Sequence, residues 1–158
     1  VNQSSDNTAG IGIVRVQPPP HLSGRITLRD YLPDPTGKMA QIAFQSDSQT
    51  DVATTPLQPG GQYAVATMLS GTVQVRVYVP GWLSKRRTIA LAPGATADWI
   101  LTNGDANRDN RVDDADLLMV LFAFGQGGGN RPEDLNGDGS IDDADLLIVL
   151  FNFGTEGE

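Results

Sequence analysis

The sequence predicts a mainly β protein with a small α part: an antiparallel β-sandwich followed by a tandem pair of loop–helix units. Three observations carry this. A middle zone alternates apolar and polar residues between regularly spaced turns; a C-terminal zone repeats itself at an offset of 29; and no stretch before the repeat has a helical period.

Taken in chain order, the first zone, residues 1–21, is a polar opening, an apolar strand candidate "IGIVRVQ" and three prolines, Pro18 to Pro20. The prolines stiffen the chain into an extended spacer. Two readings of the strand remain open. It is the first strand of its own sandwich, or it adds, through Ile11, Ile13, Val14 and Val16, to the open edge of the next molecule. Strand addition of that kind joins subunits head to tail and does not close, so it propagates a filament. The sequon Asn2-Gln3-Ser4 is a candidate for surface glycosylation.

The second zone, residues 22–102, holds "GRITLRDY", "MAQIAFQS", "QYAVATML", "TVQVRVYV", "RTIALA" and "TADWIL". Each alternates as a half-buried strand does, and "PDPTG", "QPGG", "SG", "PG" and "APGA" punctuate them as turns. Trp82 and Trp99 are its largest side chains, either packing residues or a platform for carbohydrate.

The third zone, residues 103–158, contains the repeat. "DANRDNRVDDADLLMVLFAFG" from Asp105 and "DLNGDGSIDDADLLIVLFNFG" from Asp134 share 14 of 21 positions. In the first copy Asp105, Asn107, Asp109, Asp113 and Asp116 occupy positions 1, 3, 5, 9 and 12 of a twelve-residue loop, with the Arg111 carbonyl at position 7. The second places Asp134, Asn136, Asp138, Ser140, Asp142 and Asp145 in the same roles. This is the ligand spacing of an EF-hand-type loop, in which oxygens from alternating residues converge on one Ca²⁺. Close carboxylates repel one another, and a divalent cation removes that cost. An all-oxygen set favours Ca²⁺ over Zn²⁺, so two Ca²⁺ ions are expected. Val112 and Ile141 at position 8 are expected to pair the two loops with each other.

Helices are expected over about 113–124 and 142–153, ending at Gly125 and Gly154. Leu118, Phe122, Leu147 and Phe151 belong to apolar arcs wider than two short helices can bury on each other. That surplus must meet the β-domain or another protein, and the short junction "LTNGD" predicts that the helix faces pack on the sandwich.

Two such loops, each followed by a helix and lacking the preceding EF-hand helix, resemble the dockerin type I repeat over residues 104–154. The preceding zone, with "SGRITLRDY", "PDPTG" and "GWLSKRRTIALAPGATADWILTNGD", resembles the Cna-B or carboxypeptidase-regulatory-like β-sandwiches of secreted bacterial proteins. The dockerin resemblance implies Ca²⁺-dependent folding, with the carboxylate and amide side chains named above as ligands, and docking onto a cohesin partner. Asp114-Ala115 and Asp143-Ala144 stand where dockerins often carry Ser-Thr, a departure that leaves the calcium ligands unchanged.

Composition excludes other classes. A net charge of −8 with only 11 Lys and Arg gives no footprint for nucleic acid or anionic membrane. The absence of cysteine closes thiol chemistry, and no apolar run approaches the roughly 18 residues of a membrane span. The start at Val1 fits a processed, secreted chain displayed at the cell surface. His21, the single histidine, sits beside the prolines, and Ser23, Ser84 and Glu133 have no evident activating partner, so no enzyme is expected. The favoured function is a non-enzymatic, calcium-stabilised subunit of an extracellular fibre or surface assembly. A dockerin adaptor for a cohesin-like partner is the alternative.

Overall fold

The computed structural model describes residues 21–127 and 129–158. Candidate residues Ile11, Ile13, Val14 and Val16, and the sequon at Asn2, lie outside the described residues.

The middle zone forms eight strands: β1 (His21–Leu28), β2 (Met39–Gln45), β3 (Thr50–Pro56), β4 (Gln62–Ala66), β5 (Gly71–Val79), β6 (Trp82–Leu91), β7 (Ala95–Thr96) and β8 (Trp99–Leu101). They build two four-stranded sheets. One runs β3-β2-β5-β6 and is antiparallel throughout; the other joins β4, β1, β7 and β8 around β1. The alternation chose the faces. Ala40, Ile42 and Phe44 of β2 and Val73, Val75 and Val77 of β5 are buried, while Gln41, Gln45, Gln74 and Arg76 face out. Leu22, Ile26 and Leu28 of β1 oppose them from the other sheet, so one apolar layer fills the sandwich.

The expectation of an antiparallel sandwich is met only in part. β1 pairs antiparallel with β4, Leu22 opposite Val65, but runs parallel to both β7 and β8. Gly24, at φ 154°, bridges the step between those two partners: a Cβ there would lie 2.1 Å from the Ala97 carbonyl oxygen. Arg25 N–H instead reaches the Asp98 carboxylate at 2.8 Å. Strand β3 is an addition to the expected set. None of its residues is fully buried, and its sequence TDVATTP carries no large apolar alternation, as befits an edge strand.

Both tryptophans pack. Trp99 is 2% exposed, donates to the Tyr63 hydroxyl at 2.9 Å, and lies under the Arg87 guanidinium at 4.0 Å. Trp82 is 4% exposed and meets Tyr31 edge to face at 5.4 Å. Neither ring is a carbohydrate platform.

The chain leaves β8 directly into the repeat, whose helices are α1 (Asp114–Ala123) and α2 (Asp143–Asn152). A second core of Val112, Val120, Ala123, Leu135, Ile141, Ile148 and Val149 lies between them. Leu83 of β6 joins this core, and its N–H bonds the Thr102 carbonyl at 2.8 Å. Burying a side chain of that size contributes about 1.5–3 kcal/mol, so the sandwich and the helix pair share energy across their junction. Among the described residues no helix is long and apolar enough to cross a membrane.

Candidate functional site

Each loop is wound by its own aspartates. In the first, Asp105 accepts from the N–H groups of Asp109 (2.9 Å) and Asn110 (3.0 Å), and the Asn107 amide oxygen accepts from Asp109 N–H at 2.9 Å. Asp109 in turn accepts from Arg111 N–H and from the Asn107 amide, both at 2.9 Å. The second loop is wound in the same way except that its first aspartate takes the N–H of position 4 in place of position 5. Asp134 accepts from Gly137 and Gly139, Asn136 from Asp138, and Asp138 from Ser140 and the Asn136 amide. Positions 4 and 6 need left-handed backbone: Gly137 and Gly139 supply it in one loop, Arg108 (φ 67°) and Asn110 (φ 71°) in the other. The sequence foresaw position 6 but not Arg108.

Positions 9 and 12 tie the loops to the helices. Asp113 and Asp142 are N-caps, accepting from Ala115 and Ala144 N–H at 2.9 Å. Asp116 closes a capping box by accepting from Asp113 N–H and also holds Asn107 N–H at 3.0 Å; Asp145 does the same for Asp142, Leu135 and Asn136. Both carboxylates are fully buried.

These carboxylates sit uneasily together. Burial pushes Asp105 up to about 6, and the charge of Asp116 adds to the rise. Asp116 and Asp134 are also raised, first by burial and then by the neighbouring acids. Among the described residues no three acidic or histidine side chains converge closely enough to hold a metal by themselves. Any calcium shell must therefore draw on the amide oxygens of Asn107 and Asn136, the Ser140 hydroxyl and main-chain carbonyls. The donors fit that demand: all are oxygens, and a carboxylate oxygen that accepts one N–H retains a second lone pair. The Arg111 side chain is occupied elsewhere, pairing with Glu156 at 2.7 Å, so its candidate ligand is the carbonyl.

Two expectations are corrected. Val112 and Ile141 do not pair with each other. Val112 exchanges bonds with Gly154 and Thr155, and Ile141 with Gly125 and Gln126, so each loop is bridged to the tail of the other repeat's helix. Nor do the helix faces pack on the sandwich. Leu118 and Leu147 are 48% and 46% exposed, and Phe122 and Phe151 are 81% and 82% exposed. Leu121, Phe124, Leu150 and Phe153 extend this open face with the same symmetry. The reason is geometric: the loops supply the hydrogen bonds to the sandwich, and the helices meet it only through the inner core that Leu83 joins, which leaves these faces outside.

The loop contacts are specific and left no periodic signal in the sequence. Leu32 N–H bonds the Asn136 carbonyl at 2.9 Å, and the Tyr31 ring lies where a Cβ on Gly137 would be. The buried Asn103 amide donates to the carbonyls of Leu135 (2.9 Å) and Arg29 (3.2 Å) and accepts from Gly104 N–H. On the first loop, the Asn110 side-chain oxygen accepts from Ser84 N–H at 2.8 Å. Asn103→Ala is expected to cost about 1–3 kcal/mol, because it leaves the Leu135 carbonyl and the Gly104 N–H without the partner they have in the parent; a urea midpoint within error of the parent would refute this.

No family profile matches the chain, and no curated protein matches it. Solved structures do. A chain from a type II cohesin–X–dockerin complex of Acetivibrio cellulolyticus, an N-terminal interface mutant, superposes with a TM-score of 0.69 at 21% identity, covering 87% of this chain and 97% of that one. A C-terminal interface mutant of that complex gives 0.62 at 22% identity, with the same coverage. A match over 87% of the chain runs beyond β8, so what is shared is a fold that includes more than the sandwich.

Proposed function

We propose that the chain is a non-catalytic docking module of dockerin type, loaded by two Ca²⁺ ions and presenting its paired helices to a cohesin-like protein partner. The observation that carries this is the coincidence of two similarly wound acidic loops with a helical face left open in both repeats. Asp105, Asn107, Asp109, Asp113, Asp116 and the Arg111 carbonyl would hold one ion. Asp134, Asn136, Asp138, Ser140, Asp142 and Asp145 would hold the other. The metal would supply positive charge that offsets the repulsion among buried carboxylates and fixes the start of each helix.

The neighbouring folds belong to complexes described as cohesin–X–dockerin, which favours the adaptor reading over a self-assembling fibre. Head-to-tail strand addition rests on residues 11–17, outside the described residues, and gains no support here. The non-catalytic reading is supported by Ser84, whose hydroxyl is buried and committed to the Glu158 carbonyl at 2.7 Å and Arg76 at 3.1 Å. An extracellular setting suits loops of this class, since extracellular calcium modules bind with Kd of about 10⁻⁴–10⁻³ M.

The test is retention of the chain on a panel of immobilised cohesin domains in calcium, with release by chelator. Passage of folded, calcium-loaded chain through the whole panel would overturn the assignment.

A further inference from the structure

Where the sandwich meets the helix pair, a cleft of about 340 Å³ opens between the β5–β6 turn, Tyr31 and the second loop. Its walls carry three cations from separate parts of the chain: Lys38, Arg108 and Arg131. In a protein of net charge −8 this is an unusual gathering. The ion pair found among the described residues is Arg111 with Glu156, so none of the three is matched to a carboxylate there. Asp134 is the acidic group on the wall, and both its oxygens already accept main-chain N–H bonds.

Lys38 is held in place, while Arg108 and Arg131 are exposed on the wall. The Lys38 ammonium sits 4.3 Å from the Tyr31 ring centroid and 5.1 Å from that of Trp82, which fixes its place at the cleft. Arg108 projects from a left-handed backbone position that the second repeat fills with Gly137. Glycine is sterically cheaper there, so the first repeat tolerates strain to set a guanidinium in this wall. Asn130, also at positive φ (71°), lines the same cleft; such residues gather where a site needs a particular shape.

The geometry points to a binding site for a small organic acid, a carboxylate-bearing ligand of monosaccharide size held by Lys38, Arg108 and Arg131. The volume lies at the lower end of the range for small-molecule sites, and guanidinium pairs suit a carboxylate. The site is separate from the helical face, and it borders the second metal loop through Asp134, Gly137 and Gly139.

Titration of the calcium-loaded chain with glucuronate, followed by NMR at constant ionic strength, tests it. Saturable shifts are expected at Gly81, Trp82 and Arg131, with glucose inert and inorganic sulfate weaker. Arg108→Gly, which relieves backbone strain, and Arg131→Ala, at an exposed position, should each weaken binding by about fivefold or more, whereas Lys85→Ala should not. No saturable binding up to about 10 mM, equal binding of glucose or sulfate, or insensitivity to both arginine variants would overturn the proposal.

Discussion

Removing calcium from the 158-residue chain is expected to cost about 2.7 kcal/mol for each loop that was held at a free metal concentration 100-fold above its Kd, about 5 kcal/mol in all. The loss should be local. Burial raises Asp105, Asp116 and Asp134 and the neighbouring acids add to the rise, and without a cation that repulsion is relieved only by protonation or by opening the loop. Opening would release the N–H groups of Asn107, Asp109, Asn110 and Asp113 in one repeat and of Leu135, Asn136, Gly137 and Asp142 in the other. Hydrogen exchange should therefore accelerate across residues 104–154 while Ile42, Val75 and Val77 in the sandwich core keep their protection. Exchange unchanged by chelator would defeat the calcium assignment. Exchange accelerated equally in both cores would refute a local effect and make the molecule one cooperative unit.

The contacts at the junction explain why that second outcome is a real alternative. Leu83 belongs to the helical core although it lies on a strand, and Asn103 bonds both sides at once. Neither was legible in the sequence. The strands that were read correctly, such as MAQIAFQ and TVQVRVYV, have a clean two-residue alternation that burial enforces. β3 was missed because an edge strand buries little, and Trp82–Arg86 of β6 because Trp82, Leu83 and Ser84 are buried in succession and do not alternate. Parallel pairing of β1 with β7 and β8 depends on which strands meet in space, which alternation does not encode. In the repeat, the spacing of the aspartates and the glycine stops marked the two short helices to within a residue or so at either end. The partner of Val112 was misread because the sequence relates the two loops to each other, whereas the chain pairs each loop with the opposite helix's tail.

Phe122→Ala combined with Phe151→Ala is expected to abolish partner binding while leaving the fold intact. Both rings are more than four-fifths exposed, so truncation removes almost nothing from either core, and stability should change by no more than about 0.5 kcal/mol. Binding is a different matter. Large apolar side chains that become buried on docking cost about 2 kcal/mol or more each when truncated, so the pair should weaken affinity by about 4 kcal/mol, roughly a thousandfold. The measurement is affinity for a cohesin that retains the parent chain, together with the melting temperature in calcium. Wild-type affinity in the double variant would remove this face from the interface. A matching loss of melting temperature would show instead that the rings support the fold. Each single variant adds a discriminating result. Phe122 and Phe151 stand at equivalent positions of the two repeats, so a partner that spans both helices loses affinity with either change, and one that grips a single repeat ignores one of them. The exposed Asp114 and Asp143, one turn before Leu118 and Leu147 on their helices, place negative charge at the edge of the same face. A partner that fits therefore carries an apolar centre flanked by basic residues, and its association should slow as salt rises even though the energy of the complex lies in the two phenylalanines.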